Sequence, residues 1–208
     1  MLGIFSEVRI ISTGEVGTLV DINTPARAGT VDAFDFSLEG DIHAEKMVAL
    51  SDLEEIPELG GEARSHLVDD FEVLVVSNTM PMWIDHDASI WVVRRSDEIS
   101  LYFKGGTESK RAIGTLTGQD AQDFMQKIRG LNIADWHPLY QPKDGQTENG
   151  YTWSFALYGE NGCIHSRGMN AYSVGIRDLY KLLASYGAPE VWSDVKRMPF
   201  YSAKAQHS

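Results

Sequence analysis

Gly14-Glu15-Val16-Gly17-Thr18-Leu19-Val20-Asp21-Ile22, then Phe34-Asp35-Phe36-Ser37-Leu38-Glu39-Gly40, then Val48-Ala49-Leu50-Ser51-Asp52-Leu53: these three runs decide the fold of the first part of the 208-residue chain. Apolar and polar residues alternate within them, which suits a half-buried strand because successive side chains point to opposite faces. Working outward, residues 7–12 read as a strand that Thr13-Gly14-Glu15 turns into a second at residues 16–22, with Gly17 marking a bend. Asn23-Thr24-Pro25 and Gly29 bound a loop, and residues 31–36 alternate with one change of phase. Glu39-Gly40-Asp41 is a turn, residues 42–50 give a further strand, and Ser51-Asp52-Leu53-Glu54-Glu55 closes the region with a helical-looking turn. Four or five short strands joined by tight turns predict a small, strongly bent β-barrel over residues 1–58.

Ile56-Pro57-Glu58-Leu59-Gly60-Gly61-Glu62 reads as a linker, because proline and paired glycines interrupt regular structure. Residues 59–208 then form an α+β domain, an antiparallel sheet packed with two helices. Strands are expected at residues 71–76, 89–93, 99–103 and 111–116. Thr117 is the expected N-cap of a helix in which Ala121, Phe124, Met125, Ile128 and Leu131 recur at helical spacing. A hairpin at residues 151–158 and 163–167 turns about Glu160-Asn161-Gly162. The second helix starts near Val174, presents Ile176, Leu179, Tyr180, Leu183 and Tyr186 on one face, and stops at Gly187.

The formal net charge is −12, and it is unevenly spread. Residues 1–58 carry twelve acidic and three basic side chains, a net of −9, whereas residues 59–208 carry eighteen and fifteen, a net of −3. Such a field repels phosphate backbones and anionic lipid heads and attracts basic protein surfaces, so neither nucleic acid nor membrane is an expected partner. A low isoelectric point that only maintains solubility is the plain alternative. Cys163 is the single cysteine, which excludes an intramolecular disulfide and a cysteine zinc site and fits a reducing cytoplasm. The N-terminus meets Glu7 before any apolar run of signal length, and no stretch approaches the ~18 apolar residues of a membrane helix.

The run from Gly14 to Ile22, with Phe34 to Gly40 and Val48 to Leu53, resembles small bacterial SH3-like barrel domains of uncharacterised function, built on a GxxGTxV strand and a closing L-x-x-L turn. Further on, Trp136 and Tyr140, Thr152-Trp153-Ser154-Phe155-Ala156-Leu157, Arg167-Gly168-Met169-Asn170-Ala171-Tyr172 and the helix through Leu183 resemble bacterial domains of unknown function, some found among immunity proteins of polymorphic toxins. The chain departs from that pattern at Ser173, where a proline is usual, and at Asp144-Gly145, which stand apart from Trp153. A resemblance of this kind carries a fold further than an activity.

Candidate chemistry is sparse. Asp85-His86-Asp87 is the densest set of metal-ligand types, but consecutive strand residues diverge, so a solvated turn is the reading and no metal is expected. Cys163 and His165 lie two apart on a strand, the minimum spacing of a thiolate–imidazole pair, yet a strand cysteine among apolar neighbours is ordinarily packed and inert. Gly168 and Asn170 shape a strand-to-helix turn without the lysine or repeated glycines of a phosphate loop. Trp83, among Met80, Pro81, Met82 and Ile84, is either an interface anchor or a loop folded over the sheet. The expected function is therefore that of a cytoplasmic, non-catalytic immunity protein without a cofactor, occluding a basic toxin domain. The resemblance and the charge imply partner contacts at Asp32, Asp35, Glu39, Asp41, Glu45 and Trp83. A regulatory or housekeeping protein-binding module and a cryptic hydrolase are the alternatives.

Overall fold

Gly14 adopts a φ of 76° in the computed structural model, the left-handed region in which glycine alone is unstrained. The turn it makes, closed by Gly14 N–H donating to Ile10 O at 2.7 Å, joins the first two strands. The structure describes residue 2 and residues 6–34, 43–79, 88–105, 111–140, 152–169, 171 and 174–189. The chain is α+β and divides into two units, residues 1–59 with 161–163, and residues 60–160 with 164–208.

The first unit holds β1 (Glu7–Ile10), β2 (Val16–Asn23), β3 (Ala28–Phe34), β4 (His43–Ala49) and β5 (Leu53–Glu55), in the sheet order β4-β3-β2-β1-β5. All neighbours pair antiparallel, and the β2–β3 register slips between Leu19 and Asp21, leaving Val20 as a bulge. Alternation sends Val8, Ile10, Leu19, Val31 and Leu53 into one buried cluster, flanked by Leu2, Ile22, Val48 and Leu50. Gly29 lies on this inner face because a Cβ there would stand 2.5 Å from Leu19 Cδ1.

β4 and β5 occupy opposite edges, yet only the 3-10 turn Leu50–Asp52 joins them. Five flat strands would span about 19 Å, whereas the four residue steps from Ala49 to Leu53 reach about 14 Å at most. The sheet must roll at this end. It does not close as the expected barrel would: among the described residues no pairing joins β4 to β5. The turn is instead fastened to β1. Asp52 O accepts Ile11 N–H at 2.9 Å, and the Asp52 carboxylate accepts Ser12 N–H at 3.0 Å and the Ser12 hydroxyl at 2.6 Å. Residues 56–59, expected as a linker, are also held by backbone bonds, Cys163 N–H to Pro57 O at 3.0 Å and Leu59 N–H to Cys163 O at 2.9 Å.

The second unit contains α1 (Glu62–Asp70), β6 (Val73–Thr79), β7 (Ala88–Arg95), β8 (Glu98–Gly105), β9 (Arg111–Thr117), α2 (Gly118–Arg129), β10 (Leu139–Tyr140), β11 (Thr152–Gly159), β12 (Gly162–Met169, of which Gly162 and Cys163 count with the first unit) and α3 (Val174–Ser185). Its sheet order is β10-β12-β11-β6-β7-β8-β9, and β10 runs parallel to β12, so the sheet is mixed where an antiparallel one was expected. Among the described residues three α-helices pack here where two were expected. α1 buries only Leu67 and Val68, too narrow a stripe to announce itself beside Gly60-Gly61. Of the stripe expected for α2, Ala121, Phe124, Met125 and Ile128 are buried, whereas Leu131 lies beyond the helix end; of that expected for α3, Ile176, Leu179, Tyr180 and Leu183 are buried, whereas Tyr186 follows the last helical residue. Thr117 holds the N-cap position of α2 with extended backbone, but its hydroxyl makes no capping bond. Trp136 packs on Phe155 with ring centroids 4.8 Å apart, and Trp153 Nε1–H donates to Ala171 O at 2.7 Å. No helix among the described residues is long and apolar enough to cross a membrane.

Candidate functional site: an acidic row across the first sheet

Residues directly opposed in an antiparallel ladder share a face. One register row of the first sheet runs Glu7, Thr18, Asp32, Glu45 across β1, β2, β3 and β4. It alternates with the buried row of Leu19 and Val31, so it belongs to the outer face. The Thr18 hydroxyl donates to the Glu7 carboxylate, 3.2 Å from each oxygen. The next outer row, Asp21, Thr30, Met47, adds an exposed carboxylate and a methionine that is 74% exposed.

The three cations of residues 1–58 all stand away from this row. Arg9 is opposed to Glu54 and Val16, and Arg27 occupies the turn between β2 and β3 with a φ of 51°. Lys46 lies in the Val31 row, where its ammonium is bonded to Glu15, a carboxylate whose residue is only 6% exposed. The Thr13 hydroxyl donates to the other Glu15 oxygen at 2.9 Å. Asp32 and Glu45 are thus register partners across β3 and β4, and none of the three cations is a register partner in that row. Like charges directly opposed in a sheet are destabilising.

Of the residues expected to bind a partner, the register brings together Asp32 and Glu45. Asp35, Glu39, Asp41 and Trp83 lie outside the described residues, as do Asp85-His86-Asp87. Glu7 and Asp21 join the acidic rows without having been expected. The alternation in Glu7-Val8-Arg9-Ile10 already placed Glu7 on the polar side of its strand, but only the pairing register sets it in line with Asp32.

Elsewhere the chemistry is muted. Cys163 is fully buried, and its Sγ lies 3.9 Å from Ile56 O and 3.8 Å from Pro57 O, so no substrate has access to the thiol. Among the described residues no three His, Cys, Asp or Glu side chains group as metal ligands would. In the second unit, an open groove of about 700 Å³ lies between the β7–β8 turn and α2. Its two arginines are both turned to Asp69, Arg129 Nε–H to the carboxylate at 2.5 Å and Arg94 to the backbone carbonyl. Asp97 and Asp123 balance their charge within the same lining.

No protein-family model matches the chain, and comparison with curated proteins finds no significant match.

Proposed function

We propose that this protein is a cytoplasmic immunity protein that works by occlusion, docking the acidic outer face of its first unit onto a basic toxin domain. The observation that carries this reading is the row Glu7–Thr18–Asp32–Glu45, in which Asp32 and Glu45 are register partners, a placement of like charges that a sheet does not favour. Charges retained against local stability mark a surface kept for another molecule. A toxin that attacks nucleic acid must offer phosphate a basic groove, and a row of carboxylates on a rigid sheet imitates the spacing of charge without being a substrate. Such a protein needs complementary shape and charge, and no catalytic group.

The strand order β4-β3-β2-β1-β5, with one 3-10 turn leading into the last strand, supports reading the first unit as an SH3-like barrel open between β4 and β5. In this reading, the fold serves as a rigid platform.

The test is direct binding of the purified chain to the C-terminal domain of any large secreted protein encoded beside its gene, at low and moderate salt. Tight, stoichiometric binding that weakens with salt and abolishes the toxin's activity is the expected result. Absence of binding at low salt removes the immunity reading and leaves the regulatory binding module.

A further inference from the structure

Among the described residues the two sheets end in four edge strands, and three of them are blunted. β5 has three residues and β10 two, and the β8–β9 register slips between Leu101 and Tyr102, leaving β9 bulged at Ile113. β4 has seven residues, each paired to β3 in unbroken register from Ala28↔Ala49 to Phe34↔His43. A long, regular, unpaired edge invites a further strand unless a charge or proline guards it. Lys46, the lysine of β4, lies in the inner Val31 row and bonds Glu15, which leaves Glu45 as the charge of this edge, a guard against an acidic strand and not against a cationic one. Met47, 74% exposed, stands beside it on the outer face.

The groups that β4 offers can be assigned. Leu50 N–H donates to Arg27 O at 2.9 Å, one step beyond the Ala49↔Ala28 pair. Alternation along an antiparallel ladder then turns the N–H and C=O of Val48, Lys46 and Ala44 towards β3, and those of Ala49, Met47, Glu45 and His43 away from it. We infer that β4 is a strand-addition site, and that its occupant is an extended cationic segment of a partner protein. The acidic row ends at this edge with Glu45, so a strand added there places alternate side chains in line with Asp32 and Glu45, where lysine or arginine is favoured. A second copy of this chain is the less suited occupant, because it would bring another −9 of charge to the same edge. This inference rests on the reading of the first unit as the partner-binding face and adds how the partner is held.

The probe is a seven-residue synthetic peptide alternating lysine with threonine, added at low salt to the isotope-labelled full chain while amide hydrogen exchange is followed by NMR. Exchange at His43, Glu45, Met47 and Ala49 should slow about tenfold or more, with Ala44, Lys46 and Val48 little changed. Met47→Pro removes one outward donor and no bond to β3, so it should abolish the protection while circular dichroism stays unchanged. Should that variant fold poorly, Glu45→Lys keeps every backbone donor and should weaken peptide binding through charge alone. Binding that leaves the four edge amides unprotected, or that survives Met47→Pro, overturns strand addition while leaving the acidic face as a docking surface. Concentration-dependent protection without peptide overturns the choice of occupant in favour of a second copy. No binding at low salt overturns both the inference and the cationic-partner reading.

Discussion

Lys46, on an edge strand of the first sheet, turns its ammonium inward onto Glu15, while Glu45, its neighbour in sequence, belongs to the acidic row. One ion pair thereby does two things: it satisfies a carboxylate whose side chain is only 8% exposed, and it takes the nearest cation out of the outer face. Removing the lysine leaves Glu15 buried with only the Thr13 hydroxyl as a donor. A fully buried pair broken in this way costs about 3–5 kcal/mol. Because the Lys46 side chain is 35% exposed, we expect Lys46→Met to cost about 2 kcal/mol. Glu15→Gln combined with Lys46→Met should recover at least half of that, since no uncompensated charge remains. Urea denaturation of the four proteins in the cycle measures both quantities.

Asp32 opposite Glu45 sets stability against binding. Glu45→Lys puts opposite charges across the β3–β4 ladder and should raise stability by about 0.5 kcal/mol. The same variant should bind a basic partner more weakly. A charge present only for solubility would show neither opposition nor loss of binding, so denaturation and binding assays on this one variant separate the two roles.

Asp52 ties the turn before β5 to the end of β1 through both carboxylate oxygens. Asp52→Ala should cost about 1–2 kcal/mol, since two charge-assisted bonds are lost at a half-buried site. Asp52→Asn keeps an acceptor for one of the two Ser12 groups and should cost about half as much. The local signature is faster hydrogen exchange at Ser12 N–H, which a general loss of stability would not single out.

Two glycines should respond unequally to alanine. At Gly29 the added methyl meets the tip of the Leu19 side chain, which can shift within its cluster, and we expect a cost of about 1–3 kcal/mol. At Gly168 it overlaps the Trp153 indole and the Ala171 carbonyl, the two partners of a buried hydrogen bond, and neither has room to yield. Gly168→Ala should therefore cost more than Gly29→Ala, and the Trp153 indole N–H resonance should move. Thermal denaturation of both variants checks the order.

The features that depend on local rules were legible in the chain. Thr13-Gly14-Glu15 announced its turn, Glu7-Val8-Arg9-Ile10 its alternation, and Ala121, Phe124, Met125 and Ile128 their helical face. What the residues could not disclose depends on partners distant in sequence. Tyr140 lies beside Gly168 in a parallel pair that no local pattern signals. Leu67 and Val68 alone are too few to mark α1. The fastening of the turn before β5 rests on Asp52 reaching Ser12, forty residues away. The candidate site divides in the same way: composition placed the negative charge at the front of the chain, but only the register aligns Glu7, Asp32 and Glu45 and shows Lys46 facing the other side.

The measurement that bears most directly on the central claim is the association rate with the basic toxin domain, compared between the natural chain and Asp32→Lys with Glu45→Lys across a range of salt. Electrostatic steering accounts for about 10- to 1,000-fold in such rates. The account predicts a fall of about tenfold or more at low salt, and a flatter dependence on salt. Equal rates and equal salt dependence for the two proteins would contradict it.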